Sequence, residues 1–181
     1  MKVLTLTQPW ASLIALDEKR IETRSWYTAY RGPLAIHASK AFPGWAKRQC
    51  FIPPFSTVLV RHDLNPGSLP LGKILCVVSI EDCLKTWTLD MDQLSTNEKQ
   101  FGEYSGGRFA WVLGPITRIF EPPIPAGGRL GLWEWFGPPE TRIPNPPSTG
   151  SGPRAEPRGE PPVPSPESRT PSRESRELEA R

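Results

Sequence analysis

The sequence predicts an α+β domain, a small and partly closed β-barrel with one to three short helices at its side, followed by a disordered tail. Three observations support this prediction. About six short segments alternate between two faces, as strands do, whereas only one or two show helical spacing. Every Trp, Tyr and Phe lies at or before Phe136, and the residues from Gly137 onward are rich in proline. We therefore assign residues 1–136 to the domain and residues 137–181 to the tail.

The first strand and the first helix follow from side-chain spacing. Residues 2–7 place their two leucines on one face and a valine and two threonines on the other, which is typical of a short strand. Thr7 or Gln8 is suited to cap a helix. Pro9 then falls in the first helical turn, where backbone N–H groups have no partner within the helix, so the missing N–H of proline does no harm. Trp10 and the apolar residues after it have the 3–4 spacing of an amphipathic helix that ends near residues 17–18.

The next part of the chain predicts two more strands and an irregular stretch. Residues 20–26 alternate between two faces, and residues 34–38 form an apolar run after a Gly-Pro turn, so we assign both to strands. Residues 41–50 are predicted to be helical in part. Residues 51–70 contain four prolines and no clear period, and we assign them to a loop.

The strongest strand prediction is residues 73–82, where both faces are largely apolar. Residues 90–100 predict a weak helix or a polar loop. Residues 109–113 and 130–136 supply two further strands, and the connection between them is rich in proline and glycine. The strands are thus short and mostly joined by turns, as expected of a small barrel.

The tail differs from the domain in composition. Of the 45 residues from Gly137 to Arg181, 12 are proline, and seven basic residues are matched by seven acidic ones. Such a segment buries too little apolar surface to offset the conformational entropy that folding costs, so we expect it to be disordered. It either contacts partner proteins or serves as a passive solubilising extension.

Positive charge is concentrated in one part of the domain. Between Lys19 and Arg48, inclusive, there are seven basic residues and a single acidic one, Glu22. This excess predicts an anionic partner such as RNA, DNA or a nucleotide, or else a solvated basic face.

Cysteine and histidine usage predicts neither a metal site nor another cofactor. The three cysteines lack CxxC spacing, and the chain has only two histidines. The first seven residues lack the apolar block of a signal peptide, and no stretch approaches 18 apolar residues. We expect a cytoplasmic protein that makes no use of a membrane.

The residues from Lys19 to Trp26 carry the main functional prediction. A strand of period two puts Arg20, Glu22, Arg24 and Trp26 on one face, with Lys19 at the turn before it. Arginine binds phosphate through a bidentate fork, tryptophan stacks on a base, and a carboxylate accepts hydrogen bonds from an exocyclic amine. Alternatively, this is a strand face whose arginines and glutamate neutralise each other.

Six motifs occur in order along residues 1–136. They are Gln8-Pro9-Trp10-Ala11, the Lys-x-x-Glu-x-Arg-x-Trp element at 19–26, and residues 31–38, 72–82, 107–113 and 132–135. Together they resemble the ASCH domain, a branch of the PUA-like superfamily. The resemblance implies a PUA-like β-barrel with an RNA- or nucleotide-binding cleft beside the first helix, lined by the Lys-x-x-Glu-x-Arg element.

Some members of that family are enzymes, either ribonucleases or amidohydrolases acting on acetylated cytidine. For the amidohydrolases the resemblance implies a catalytic Lys, a Thr three residues later and a Glu on a later strand. Lys19 matches the first, whereas Glu22 stands at the Thr position and Ser79 at the Glu position. Because Glu22 cannot supply the hydroxyl nucleophile, we expect binding without efficient amidohydrolase turnover.

Three functions follow from these observations. The leading one is an RNA- or nucleotide-binding module, and the second is a small hydrolase of an acylated nucleoside or of RNA with Lys19 and Glu22 as an acid–base pair. The third is a protein-interaction domain whose basic face is incidental. The candidate binding residues are Gln8, Trp10, Lys19, Glu22, Arg24, Trp26, Ser79 and Arg108, the last at the end of a glycine-containing loop that can fold over a ligand.

Overall fold

Seven strands and four short α-helices follow one another along the part of the chain that the structure, a computed structural model, describes. That part is residues 1–137 of a chain that divides into two units, Met1–Arg142 and Ile143–Arg181; apart from Gly137, the predicted tail lies outside it. In chain order the elements are β1 (Lys2–Leu6), α1 (Trp10–Ala15), β2 (Ile21–Arg24), β3 (Gly32–Ala38), α2 (Gly44–Gln49), α3 (Phe55–Arg61), β4 (Lys73–Lys85), α4 (Thr96–Phe101), β5 (Phe109–Leu113), β6 (Arg118–Pro125) and β7 (Leu132–Glu134).

The strands form one mixed sheet in the order β2–β5–β4–β3–β1–β7, and β6 pairs with β4 outside this path. The β1–β3 pairing is parallel, and the other pairings are antiparallel. Strand β4 has 13 residues and organises the sheet. Its first half pairs with both β3 and β6, and its second half pairs with β5.

The α+β class is confirmed, but the predicted β-barrel is wrong, because the sheet is not closed. Closure requires the two end strands to pair with each other. Here the ends of the strand path, β2 and β7, have only four and three residues, and they do not pair with each other within residues 1–137. The long β4 distributes its hydrogen bonds over three partners, so the sheet branches instead of closing.

The core lies where α1 packs against β3 and β4. Leu4, Ile14, Ile36 and Trp111 are at most 1% exposed and belong to one apolar cluster. Burying each such side chain stabilises the fold by roughly 1.5–3 kcal/mol. This core fixes α1 and the start of β2, the two elements from which the candidate site is built.

Each of the six predicted strands is present, but two elements were not predicted. Helix α3 occupies part of the predicted loop, and its residues Phe55, Val58 and Leu59 are buried at helical spacing. The four prolines of that stretch lie before or after the helix and do not interrupt it. Strand β6 tolerates its prolines because it pairs with β4 alone and therefore lies at an edge.

Candidate ligand-binding cavity

A cavity of about 450 Å³ opens between β2, α1, α2 and the residues that follow α4. Its volume lies in the range of roughly 300–1,000 Å³ that is typical of small-molecule sites. Aromatic, acidic and basic side chains converge on it. The lining residues are Leu6, Thr7, Trp10, Glu22, Thr23, Arg24, Trp45, Gln49, Phe55, Gln100, Phe101, Gly102, Glu103 and Arg108.

Glu22 provides a buried carboxyl group in the cavity wall. Its side chain is 9% exposed, and its Oε1 lies 3.5 Å from Nη1 of Arg24, a long contact that leaves most of its hydrogen-bonding capacity free. Burial raises the pKa of Glu22, while the charges of Lys19, Arg24 and Arg108 partly oppose that rise. The carboxyl group is therefore held among cations, and its ion pair with Arg24 is a long one.

Arg108 supplies a second guanidinium beside Glu22. Its Nη2 donates to the carbonyl oxygen of Thr23 at 3.0 Å, which ties the segment before β5 to β2. Its buried Nε has no hydrogen-bond partner among residues 1–137. An unpaired buried donor costs free energy, so a ligand acceptor placed there would be favoured.

Aromatic rings form another part of the wall. Trp10 is held by a hydrogen bond of 2.8 Å from its Nε1 to the carbonyl oxygen of Phe101, and its ring meets Phe55 edge-on at 5.5 Å. The ring of Trp45 lies 5.7 Å from that of Trp10 at an angle of 44°. The cavity therefore offers a planar ligand both aromatic rings and charged groups.

A model of the ASCH domain family matches residues 4–123, which include every residue that lines the cavity. The chain belongs to the ASCH domain family. The resemblance drawn from the sequence motifs is thereby confirmed.

Two relatives resemble this chain over most of its length. They are activating signal cointegrator 1 from Mus musculus and the same protein from Homo sapiens, each 36% identical over 132 residues. The alignment covers 72% of this chain but only 22% of each relative. The chain thus matches about a fifth of the length of these curated proteins.

Four of the eight predicted binding residues of the ASCH domain line the cavity, namely Trp10, Glu22, Arg24 and Arg108. The other four, Gln8, Lys19, Trp26 and Ser79, are not among the lining residues. Only Glu22 and Arg24 of the predicted face of four line the cavity, and Arg20 and Trp26 lie outside β2, which is shorter at both ends than predicted.

Lys19 lies inside the protein and not at the mouth of a cleft. It is 1% exposed, and its Nζ donates to Oε1 of Glu98 at 3.1 Å and to the carbonyl oxygen of Ile21. Glu98 also accepts hydrogen bonds from the backbone N–H of Arg20 and from the hydroxyl of Tyr104. Lys19 therefore joins the start of β2 to α4.

The remaining three predicted residues have structural contacts. Gln8 is fully buried, and its amide accepts from the backbone N–H of Ser12 and donates to the carbonyl oxygen of Pro70. Trp26 packs edge-on against Trp111, with ring centroids 4.6 Å apart. Ser79 is half-buried on β4, and its backbone carbonyl oxygen accepts from the N–H of residue 114.

Helix α2 was predicted in part from the sequence and α3 was missed, and no binding residue was assigned to either helix. Trp45 and Gln49 stand four residues apart on α2 and both line the cavity, as does Phe55 at the start of α3. The i, i+4 spacing of Trp45 and Gln49 was a signal of a helix face turned to one side. This signal was overlooked because prolines stand on both sides of α2.

Among residues 1–137, no group of three or more His, Cys, Asp and Glu residues could hold a metal ion. None of the helices described is long and apolar enough to cross a membrane.

Proposed function

We propose that this ASCH domain binds RNA by holding one nucleotide in the cavity, and that a free or modified nucleotide binds in the same place. The observation that carries the proposal is the convergence of Glu22, Arg24 and Arg108 with Trp10 on one hollow of about 450 Å³. A hollow of this kind combines a stacking surface, a hydrogen-bond acceptor and two anion-binding forks.

Each group has a distinct role in the proposal. Arg24, whose side chain is 27% exposed, and Arg108, whose Nε has no partner among residues 1–137, bind phosphate. Glu22 accepts a hydrogen bond from an exocyclic amine of the base, because its Oε1 has only a long contact to Arg24. Trp10 offers its ring to the base.

The family assignment supports an RNA ligand. The ASCH family is associated with RNA binding, and the family model spans the whole cavity. The relatives are named as signal cointegrators, but they are much longer than the part of them that matches this chain. A role in cointegration is thus a separate hypothesis, to which the cavity contributes nothing.

A hydrolase acting on an acylated nucleoside or on RNA is the second candidate. The raised pKa of Glu22 favours it, because a carboxyl group that keeps its proton can act as a general acid. The position of Lys19 argues against it, because its ammonium group is closed off by Glu98 and cannot reach a ligand. Binding is therefore the better-supported function.

Titration of the full chain tests the binding proposal. We would measure the affinities of a six-residue RNA and of the four nucleoside 5′-monophosphates for the native protein, for Glu22→Gln and for Glu81→Gln. Glu81 is an exposed carboxylate that does not line the cavity. We expect Glu22→Gln to lose discrimination between bases and Glu81→Gln to behave as the native chain.

Salt dependence supplies the decisive control. Phosphate contacts release counterions, so RNA affinity should fall between about 50 mM and about 200 mM salt. An affinity that is unchanged over that range would contradict the proposal and favour a protein-interaction domain. Hydrolysis of acetylcytidine or of the RNA by the native chain, lost in Glu22→Gln, would assign the cavity to a hydrolase instead.

A further inference from the structure

Among the aromatic residues that line the cavity, all of which lie within residues 1–137, Trp45 alone is exposed at the surface. It lines the hollow, yet 53% of it is exposed to solvent. Exposing a ring of this size costs hydrophobic free energy that a buried position would save. Trp45 thus stands at the rim, where the wall of the cavity continues onto the outer surface.

The ring is held beside a fixed neighbour. Trp10, 5.7 Å away, is fixed by its hydrogen bond to Phe101 and by its edge-on contact with Phe55. A ring that packs against a fixed partner and is otherwise exposed is partly ordered before a ligand arrives. That order reduces the entropy lost when a base stacks on it.

The surroundings of Trp45 on α2 are basic. Lys47 and Arg48 are both exposed, and the first turn of the helix carries no acidic residue. The guanidinium of Arg48 folds back over Gly44, with Nη1 3.6 Å from the place that a Cβ there would take. Within residues 1–137, neither cation pairs with a carboxylate.

From this juxtaposition we infer that Trp45 is a stacking platform for a second base, next to the nucleotide held in the cavity, and that Arg48 contacts the phosphate that links the two. The partner is a single-stranded polynucleotide, because only unpaired bases are free to stack on an aromatic side chain. A protein partner fits less well, since lysine is depleted in protein interfaces. Lys47 and Arg48 are exposed and pair with no carboxylate among residues 1–137, which suits a phosphate backbone. The inference rests on the proposed function, which places the first nucleotide.

The test compares the length dependence of binding in three variants of the full chain. The probes are a six-residue RNA of mixed sequence, the DNA of the same sequence, and the four nucleoside 5′-monophosphates. Trp45→Ala removes the platform, and Trp45→Phe keeps an aromatic ring. Trp87→Ala is the matched control, because Trp87 is 59% exposed and does not line the cavity.

We expect Trp45→Ala to weaken binding of the six-residue RNA or DNA by roughly five- to 150-fold, the factor that stacking of one base supplies. Binding of the monophosphates should fall much less, and Trp87→Ala should leave both affinities unchanged. Trp45→Phe should retain most of the affinity. RNA and DNA share this chemistry, and the strand that the native chain binds more tightly is the preferred source.

Two results would overturn the inference and leave the proposed function intact. One is a six-residue strand that binds the native chain no more tightly than the best monophosphate. The other is a loss in Trp45→Ala that is equal for strands and monophosphates, which would make Trp45 only a wall of the cavity. Failure of every probe to bind the native chain would overturn the proposed function as well.

Discussion

The ammonium group of Lys19 lies 3.1 Å from the carboxylate of Glu98, and the two side chains are only 1% and 9% exposed. This buried pair connects residues that stand 79 positions apart in the sequence. It fixes α4 against the start of β2, and the residues at the end of α4 form part of the cavity wall. The lysine of the Lys-x-x-Glu-x-Arg element is therefore a positioning residue.

Removing one partner of this pair should destabilise the fold strongly. We expect Lys19→Ala to lower the free energy of unfolding by about 3–5 kcal/mol, because Glu98 would keep a buried charge without its cation. Urea denaturation measures the loss. The matched control is Lys2→Ala, which breaks the exposed pair with Glu134 and should cost about 0–1 kcal/mol.

Equal stability of Lys19→Ala and Lys2→Ala would contradict this account of the buried pair. The combined change Lys19→Met and Glu98→Gln should cost less than Lys19→Ala alone, since it leaves no unpaired charge. The stability of Lys19→Ala also decides how a loss of enzymatic activity in that variant is interpreted. A loss of activity in Lys19→Ala would show a catalytic lysine only if the variant were still folded.

The contrast between Lys19 and Glu22 shows how far the sequence alone can lead. Strand periodicity is local, and it placed Glu22 and Arg24 on the face that lines the cavity. The position of Lys19 depends on Glu98, which belongs to a helix predicted only weakly. The open sheet likewise depends on which strands pair with β4, and no local spacing reveals those partners.

Replacement of Glu22 by glutamine should change stability in a pH-dependent way. Burial raises the pKa of Glu22, so the folded protein binds this proton more tightly than the unfolded chain does. The stability that this tighter proton binding contributes to the folded state is fully present below pH 4.5, the ordinary pKa of the group. It is lost as the pH rises through the raised pKa of Glu22 in the folded protein. Glu22→Gln should therefore gain stability over the native protein at neutral pH and show no such gain below pH 4.5.

Thermal unfolding of both proteins between acid and neutral pH measures this difference. Glu81→Gln serves as the control, because Glu81 is exposed. A Glu22→Gln variant that is less stable than the native protein at neutral pH would mean that the neighbouring cations outweigh burial. If Glu22→Gln gains stability and also loses discrimination between bases, the carboxylate of Glu22 serves binding at a cost in folding stability.

Replacement of Arg108 by lysine should weaken phosphate binding without loss of charge. Lysine lacks the planar fork, and it cannot offer both a donor to Thr23 and a second donor to a ligand in the same geometry. We expect about tenfold weaker binding of the nucleoside 5′-monophosphates, roughly the effect of losing one charged hydrogen bond. Binding of the corresponding nucleosides, which lack the phosphate, should change little.

Calorimetric titration distinguishes these two ligand classes. Arg31→Lys is the matched control, because Arg31 pairs with Asp82 on the surface and does not line the cavity. Equal weakening of nucleosides and monophosphates in Arg108→Lys would place the phosphate elsewhere, with Arg24 as the next residue to test.

A close contact at the other end of the sheet provides a test of the fold that is independent of the cavity. His37 on β3 is 1% exposed, and its Nε2 lies 3.1 Å from the carbonyl oxygen of Ala126. Burial lowers the pKa of His37 and so favours the neutral ring. A Cβ added to Gly128 would stand 2.6 Å from Cε1 of this ring, well inside van der Waals contact.

We therefore expect Gly128→Ala to lower the free energy of unfolding by about 1–3 kcal/mol, the usual cost of overpacking a filled site. The adjacent change Gly127→Ala is the control, because a Cβ there would have no neighbour within 4 Å, and it should alter stability by less than about 0.5 kcal/mol. Urea denaturation of the two variants measures the difference. If Gly128→Ala proved as harmless as Gly127→Ala, the segment after β6 would not pack on His37, and the ring would be free to reach solvent. A larger loss of stability in Gly128→Ala than in Gly127→Ala would show that this segment packs over the parallel β1–β3 pair. His37 and Thr5 are partners in the register of that pair.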